Sequence, residues 1–236
     1  MVGEGNEPGS MPSLAMNLVI RGQRAVVVGG GVVGRRKARS LLRAGAEVVM
    51  VDPNPLSPQD SEALRWTHRV ASFEPSQLEG ARLVFAATDD SRINREVAIA
   101  ARQQGALVNI ADDPGGSDFH LPAVLTRGDF VVGISTGGRC PGFSQVMKWR
   151  IESLLGEEVG LALEVAAAAR DWLMRTTGDW VDRSRYRPLV NDAFLRACRR
   201  GDSGAIERQL AETLGPDCTL QALELADRFP DFPEGS

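Results

Sequence analysis

A glycine-rich turn close to the amino terminus limits the folds that this chain can adopt. Gly29, Gly31 and Gly34 have the GxGxxG spacing of a dinucleotide-binding turn, and they follow an apolar, β-branched run that ends at Val28. The first glycine permits the tight bend, the second lets backbone approach a pyrophosphate, and the third lets the helix pack on the strand. Residues 32–44 favour a helix, whose first N–H groups would face the phosphates. The stretch predicts a nucleotide-binding turn, with an ordinary structural turn as the alternative.

Apolar runs and amphipathic segments alternate from this turn to residue 114. Each apolar run is short and bounded by turn residues, and the segments between the runs have helical spacing. Strands that alternate with helices are typical of a parallel α/β sheet. We therefore predict a Rossmann-like domain at 16–114. Its predicted strands are 24–28, 47–51, 67–70, 83–87 and 106–110, and its predicted helices are 32–44, 57–65 and 91–104.

The alternation stops after this domain. Short strands are predicted at 119–121, 123–126 and 130–134, the last two joined by an Arg-Gly-Asp turn, and a second glycine turn then opens a predicted helix at 142–155. The rest of the chain favours helices. We divide the chain into a flexible tail at 1–15, the Rossmann-like domain, a small α+β region at 115–155 and a helical region at 156–236. Within the last region we predict helices at 161–175 and 202–214, a break at 186–188 and fraying over 229–236.

Charge and cysteine content narrow the classes of function. The formal net charge is −4 and nearly all basic residues are arginines, which argues against general nucleic-acid binding and favours carboxylate or phosphate ligands. The three cysteines form neither a disulfide framework nor a metal-ligand spacing. No run approaches the ~20 apolar residues of a membrane span, and residues 1–16 lack the parts of a signal peptide. We expect a cytoplasmic protein with no metal site, no nucleic-acid partner and no membrane partner.

Polar residues follow several predicted strands, at the sheet edge where cofactors bind in open α/β folds. Asp52 ends the second strand about 20 residues after the glycine turn, where this fold places an acid on the adenosine ribose hydroxyls. A carboxylate there repels a 2′-phosphate and so favours NAD over NADP, and a plain turn acid is the alternative. Thr88, Asp89 and Asp90 follow the fourth strand as candidates for cofactor contact, although either aspartate could instead cap the next helix.

We find the catalytic candidates by excluding the arrangements that are common in other nicotinamide-dependent dehydrogenases. The Tyr-xxx-Lys pair of short-chain dehydrogenases is missing because the single tyrosine, Tyr186, has Val190 four residues later. The cysteine and histidine ligands of zinc-dependent alcohol dehydrogenases are missing too. Asp112 and Asp113 remain at the end of the fifth strand, with His120 soon after. A carboxylate at Asp112 could remove a proton while a hydride leaves to NAD. An Asp-Asp-Pro turn and a structural histidine are the alternatives.

The second glycine turn contains Gly137, Gly138 and Arg139. Their backbone N–H groups could bind an anionic group of a substrate, as helix N-termini do, or the turn could be only a tight connection. Cys140 follows at the predicted helix start, where a thiol pKa can be lowered. Because no paired histidine is evident, we do not predict this cysteine to be a nucleophile.

Four blocks of the sequence occur in a recognisable order. They are the cofactor turn at 27–38, Phe-Ala-Ala-Thr-Asp-Asp at 85–90, Val-Asn-Ile-Ala-Asp-Asp-Pro at 108–114 and Ser-Thr-Gly-Gly-Arg-Cys-Pro at 135–141. In order and spacing the blocks resemble the dehydrogenase and ferrochelatase module of the siroheme synthases, across 14–160 and more weakly beyond. The chain departs from the family at Cys140, where many members have a serine. It also ends without a methyltransferase module, so methylation is expected from another protein.

The resemblance implies NAD-dependent oxidation of precorrin-2 to sirohydrochlorin and, in bifunctional members, insertion of ferrous iron at the same site. It implies that Asp112 is the general base, with His120 as a helper and Arg139 as a clamp for the tetrapyrrole carboxylates. It also implies a homodimer built through the region 115–155. A non-enzymatic NAD-sensing module, which shares only the first half of the chain, is the alternative. The implied contacts with NAD are Gly31, Val32, Val33, Asp52, Pro53 and Asn54.

Overall fold

The computed structural model describes residues 13–55, 66–178 and 183–229. The described chain divides into two compact units. Unit 1 runs to Leu121 and includes Gly137–Arg139, and unit 2 contains Pro122–Thr136 and the residues from Cys140 onward. The division therefore follows Leu121, whereas the Rossmann-like domain is predicted to end at residue 114. No helix among the described residues is long and apolar enough to cross a membrane.

Unit 1 is built on a parallel sheet of five strands. The strands are β1 (Arg24–Val28), β2 (Glu47–Asp52), β3 (Thr67–Val70), β4 (Leu83–Ala86) and β5 (Leu107–Ile110), and the helices are α1 (Val32–Arg43) and α2 (Ser91–Gln103), with a 3-10 turn at Pro75–Leu78. The strands lie in the order β3-β2-β1-β4-β5, so the strand order reverses its direction across the sheet between β1 and β4. This is the order of the first five strands of a Rossmann fold, and ligands bind at such a reversal.

Both faces of this sheet are buried, which explains why its strands are continuous apolar runs. In β1, Val26 packs with one buried cluster and Val27 with another. The first cluster includes Val97 of α2 and the second includes Leu41 of α1, so one helix covers each face. The predicted Rossmann-like fold is confirmed, with strand ends within one residue of those predicted. The predicted helix at 57–65 lies outside the described residues.

The strand predicted at 119–121 is wrong. The segment before it runs beside β5, but side chains make most of the bonds that strand backbone would make. The Asp118 N–H donates to the Val108 carbonyl (2.8 Å), while the Val108 N–H donates to Asp118 Oδ2 (2.9 Å). The Ile110 N–H donates to Ser117 Oγ (2.8 Å). Because carboxylate and hydroxyl oxygens replace carbonyls here, the segment covers the edge of β5 without becoming a strand.

Unit 2 consists of an antiparallel hairpin followed by helices. The hairpin strands meet at Gly128, which has a φ of +56°. One buried core joins the helices at 158–177, 192–200 and 203–214, and it contains the fully buried Val165, Phe194 and Ile206. The elements are β6 (Ala123–Arg127), β7 (Phe130–Ile134), α3 (Pro141–Leu154), α4 (Glu158–Thr177), α5 (Arg183–Tyr186), α6 (Asp192–Arg200) and α7 (Ser203–Leu214), with 3-10 turns at Arg187–Leu189 and Ala226–Arg228.

Two features of unit 2 differ from the expectations. Helix α6 has no predicted counterpart, although both of its ends carry ordinary helix signals. Asn191 caps its start by accepting a bond from the Phe194 N–H (3.0 Å), and Gly201 ends it at a φ of +65°. Phe229 lies in the core with 4% of its surface exposed, so fraying does not begin at this residue. Residues 230–236 lie outside the described part of the chain.

Candidate active site

The first glycine turn is crowded at two of its three glycines. Gly29 has a φ of +106°, and a Cβ there would lie 2.3 Å from the Ala87 carbonyl oxygen. At Gly34 a Cβ would lie 1.8 Å from the Gly29 carbonyl oxygen, so helix α1 approaches the turn as closely as backbone allows. A Cβ at Gly31 would meet no atom within 4 Å. The first and third glycines are therefore required by packing, and the second faces open space.

The start of helix α1 is suited to a pyrophosphate. Gly31 is its N-cap and no acidic residue lies in its first turn. Val32 and Val33 begin the helix with 77% and 38% of their surfaces exposed. The first N–H groups of a helix have no partner within the helix, and with the helix dipole they attract anions. The open space at Gly31 and these N–H groups together fit the phosphates of a dinucleotide.

Asp52, at the end of β2, holds the glycine turn in place. Its Oδ2 accepts the Gly30 N–H (2.6 Å) and its Oδ1 accepts the Asn54 N–H (2.8 Å). Each carboxylate oxygen keeps a further lone pair that can accept a ribose hydroxyl. Pro53 and Asn54 follow in an exposed turn. Asp52 thus fits the predicted role of binding the ribose. It also fixes the glycine turn through Gly30, and this second role was not predicted from the sequence.

A hydrogen-bonded cluster joins the loops that follow β4 and β5. Asn94 is buried on α2, and its amide donates to Asp112 Oδ1 (2.8 Å) and to the Thr88 carbonyl (3.1 Å). Its Oδ1 accepts the N–H (3.0 Å) and the hydroxyl (2.8 Å) of Thr88. The Ser91 hydroxyl donates to Asp112 Oδ2 (2.5 Å). Each oxygen of the exposed Asp112 carboxylate therefore accepts a bond from α2.

These bonds control the charge of Asp112. The hydrogen bond from Ser91 is the largest cause that lowers the pKa of Asp112, and the bond from Asn94 lowers it further, against a desolvation effect that raises it. The positive charge of Arg95 makes a smaller contribution in the same direction. Asp112 is therefore an ionised carboxylate at neutral pH, as a proton acceptor must be. Sequence reasoning missed Ser91 and Asn94, although their spacing of three places both on one face of α2.

One of the two aspartates after Thr88 is a helix cap. Asp90 Oδ1 accepts the Arg92 N–H (2.8 Å), and its Oδ2 accepts a bond from the Arg92 guanidinium (2.8 Å). These bonds lower the pKa of Asp90. For Asp90 the structure therefore favours capping, while Asp89 is exposed beside it.

The remaining candidates lie on other segments of unit 1. His120 is half-buried after Phe119, whose ring packs edge-on against Phe85 at 5.3 Å between centroids. In the described parts of the chain, His120 makes no hydrogen bond with Asp112. Gly137 and Gly138 have φ angles of +60° and +79°, and the three residues of the turn, including the exposed Arg139, belong to unit 1.

Two other features bear on the chemistry. The Cys140 thiol is exposed at the N-cap of α3, and its backbone N–H donates to Thr136 Oγ1 (3.1 Å). Among the described residues no three His, Cys, Asp or Glu side chains form a group that could hold a metal ion.

Comparison with known proteins agrees with this geometry. Residues 16–123 match a protein family described as putative NAD(P)-binding. Siroheme synthase 2 of Aeromonas hydrophila is 39% identical over 207 residues, which cover 86% of this chain and 44% of that protein. The siroheme synthase of Nitrosococcus oceani is 40% identical over 215 residues, which cover 88% of this chain and 46% of that protein. The chain thus spans less than half the length of these relatives.

A solved structure shares the fold. The structure of SirC, a precorrin-2 dehydrogenase, matches with a TM-score of 0.66 and 22% sequence identity, over 85% of this chain and the whole of that one. The resemblance that the four sequence blocks indicate is confirmed by the siroheme synthase relatives. Over most of its length the chain is similar to siroheme synthases, and its residues 16–123 match the putative NAD(P)-binding family.

Proposed function

We propose that the protein is an NAD-dependent dehydrogenase that oxidises precorrin-2 to sirohydrochlorin. The observation that carries the proposal is the ionised Asp112 carboxylate at the same sheet edge as the glycine turn. The turn follows β1 and Asp112 follows β5, with β4 between them. Neighbouring strands lie about 4.8 Å apart, so roughly 10 Å separates the two strand ends. The names of the relatives and of the structural neighbour support the choice of substrate.

In this proposal NAD, when bound, accepts a hydride from the dihydro macrocycle. The α1 N-terminus and Gly31 bind the pyrophosphate, and the Asp52 carboxylate accepts hydrogen bonds from the ribose hydroxyls. The Asp52 carboxylate also repels a 2′-phosphate, which favours NAD over NADP. Asp112 takes the proton that the substrate loses as the hydride leaves, so that one proton and one hydride account for the two-electron oxidation.

The substrate contacts in this proposal come from the second glycine turn. The backbone N–H groups of Gly137 and Gly138 face an anion in such turns, and Arg139 can bind a carboxylate with two parallel hydrogen bonds. His120 assists as a second proton-accepting group. Thr88, held by its bonds to Asn94 after β4, contributes to the cofactor contacts in this proposal.

The direct test is incubation of the protein with NAD and precorrin-2. We expect the absorption spectrum of sirohydrochlorin to appear, more slowly with NADP. Asp112→Asn should lower kcat by at least about a hundredfold, in line with the loss of a general base. The matched control is Asp113→Asn, which can keep the bond that Asp113 Oδ1 accepts from the Gly116 N–H (2.9 Å). Normal turnover by Asp112→Asn would remove Asp112 from the mechanism, and NAD binding without oxidation would favour the NAD-sensing alternative.

We propose insertion of ferrous iron into sirohydrochlorin as a second activity of the same site. It is supported by the names of the relatives, since siroheme is the iron-containing product, and by the ionised Asp112, which can accept the pyrrole N–H protons. Iron is a substrate in this reaction. Ferrous ion added to sirohydrochlorin should be incorporated faster with the protein than without it. A rate equal to the uncatalysed one would discard this activity.

We also propose that the protein is a homodimer through the apolar surface of unit 2. Phe143, Val146 and Trp149 recur at a spacing of three along α3, with exposed fractions of 58%, 45% and 60%. Val124 and Val131 of the hairpin are exposed as well, and a two-stranded hairpin is only marginally stable without a covering surface. A dimer would bury these side chains. Trp149→Glu should give a monomer by light scattering, Arg150→Ala should not, and a monomeric parent protein would refute the proposal.

A further inference from the structure

The Asn94 amide is an unusually constrained group at the proposed site. Its two N–H bonds go to the Thr88 carbonyl and Asp112 Oδ1, and its oxygen accepts the Thr88 N–H. The single hydrogen of the Thr88 hydroxyl is shared between that oxygen and the Asp90 carbonyl. Because the Thr88 N–H can only donate, the amide oxygen must face Thr88. The NH2 group must therefore face Asp112, and Asp112 Oδ1 has a partner that can never accept a proton.

Ser91 provides the opposite kind of partner. Its hydroxyl donates to Asp112 Oδ2 at 2.5 Å, but a hydroxyl oxygen can also accept a hydrogen bond after rotating its own hydrogen away. Each carboxylate oxygen has two lone pairs, and its partner on α2 occupies one of them. On that lone pair, a proton on Oδ2 can be accommodated by reversing one hydrogen bond, whereas a proton on Oδ1 would collide with an N–H that has no freedom to turn. The two oxygens of Asp112 are thus chemically different.

We propose that Asn94 and Ser91 are positioning residues for Asp112. Asn94 fixes Oδ1 and the orientation of the carboxylate, and Ser91 is the reversible partner that lets Oδ2 receive the proton. This inference rests on the proposed role of Asp112 as the base. The proton moves from substrate carbon to Oδ2, the Asp112–Ser91 bond reverses, and the later loss of the proton to water restores it. No group other than the substrate and its hydride acceptor is oxidised or reduced.

The experiment is a carboxyl-carbon NMR titration of Asp112 in the full chain, assigned with Asp112→Asn and combined with steady-state kinetics. Ser91→Ala removes the reversible bond at an exposed position, so the fold should persist. We expect it to raise the pKa of Asp112, to move the acid limb of the activity profile to higher pH and to lower kcat by roughly tenfold, with KM for NAD unchanged. Ser91→Thr keeps a hydroxyl and should restore the parent titration. Gln103→Ala, on the last turn of the same helix, is the matched control.

Asn94→Asp tests the hydrogen bond to Asp112 Oδ1, and it changes the shape of the side chain at position 94 very little. It keeps acceptors for Thr88 but places a second carboxylate against Asp112, which should raise the Asp112 pKa more than Ser91→Ala does. An unchanged Asp112 titration in both variants would overturn the inference. So would a raised pKa in Ser91→Ala with kcat unchanged, because the reversible bond would then play no part in turnover. If Asp112→Asn itself turns over normally, the proposed function fails instead, and the titration still reports the hydrogen bonds independently.

Discussion

The two units of the chain differ in what they leave on the surface. Unit 1 buries apolar side chains on both faces of its sheet and presents polar groups at one edge, among them Asp52 and Asp112. Unit 2 has one apolar core but leaves Phe143 and Trp149 of α3 exposed. This difference underlies our proposals that unit 1 binds charged small molecules and that unit 2 forms the dimer surface. Substitutions in the two units should therefore differ in whether they change cofactor binding or only stability.

Gly34→Ala should be the most damaging change in unit 1. Its Cβ would lie 1.8 Å from the Gly29 carbonyl oxygen, so α1 or the turn must move. We expect a loss of at least about 3 kcal/mol in the free energy of unfolding, measured with denaturant, together with loss of NAD binding by calorimetry. Gly31→Ala is the matched control, since a Cβ there meets nothing within 4 Å. It should keep the stability and weaken only NAD binding. Equal stability of both variants would contradict the packing role of Gly34.

Phe194→Ala should destabilise unit 2 without changing the cofactor site. The side chain is fully buried in the core of unit 2, and removal of such a ring costs about 3–5 kcal/mol of unfolding free energy. Denaturant unfolding gives the loss, and hydrogen exchange should locate it in α4 and α6. Val190→Ala, half exposed on the same unit, should change little. A parallel loss of NAD affinity in native buffer would show that the two units do not act separately.

Asp52→Asn should weaken NAD binding by roughly ten- to a hundredfold, because bonds to a charged acceptor contribute about 1.5–3 kcal/mol and the variant loses the charge. Asparagine can still accept one of the two N–H bonds from Gly30 and Asn54. The ratio of NADP to NAD affinity should rise as the repulsion of a 2′-phosphate disappears. Calorimetric titration with both cofactors measures this, with Glu47→Gln at the opposite end of β2 as control. An unchanged ratio of NADP to NAD affinity would mean that Asp52 only holds the glycine turn and does not contact the ribose.

The ion pair between Glu158 and Arg199 should make the stability of unit 2 depend weakly on pH. The hydrogen bond from Arg199 is the main cause of the lowered pKa of Glu158, and Arg199 Nε lies 3.0 Å from Glu158 Oε1. A lowered folded-state pKa stabilises the fold above the ordinary value of 4.5, and this stabilisation is lost as the pH falls below it. Glu158→Gln should lower Tm by about 2–4 °C at pH 7, and the difference should shrink steadily as the pH falls below 4.5. Glu212→Gln serves as control, and a constant difference across this range would contradict the ion-pair explanation.

Most strands and helices of unit 1 can be predicted because the local sequence patterns agree with the topology of the whole sheet. The glycine spacing, the apolar strands and the acids after them all indicate one topology, and that topology brings Asp52 and Asp112 to one edge. Asn94 and Ser91 escape prediction because their role depends on how α2 is rotated over the sheet, which is a tertiary property. The predicted strand at 119–121 fails for a related reason, since its alternating pattern says nothing about whether side chains or backbone complete the bonds to β5.

That replacement of backbone by side chains has a consequence for the behaviour of the protein in concentrated solution. An uncovered outer strand offers a row of N–H and C=O groups on which a foreign strand can add, and this is a common start of aggregation. Along β5 the N–H groups of Val108 and Ile110 are already occupied by Asp118 and Ser117. The connection that carries Asp112 therefore also prevents a strand of another molecule from adding to the sheet at its β5 edge.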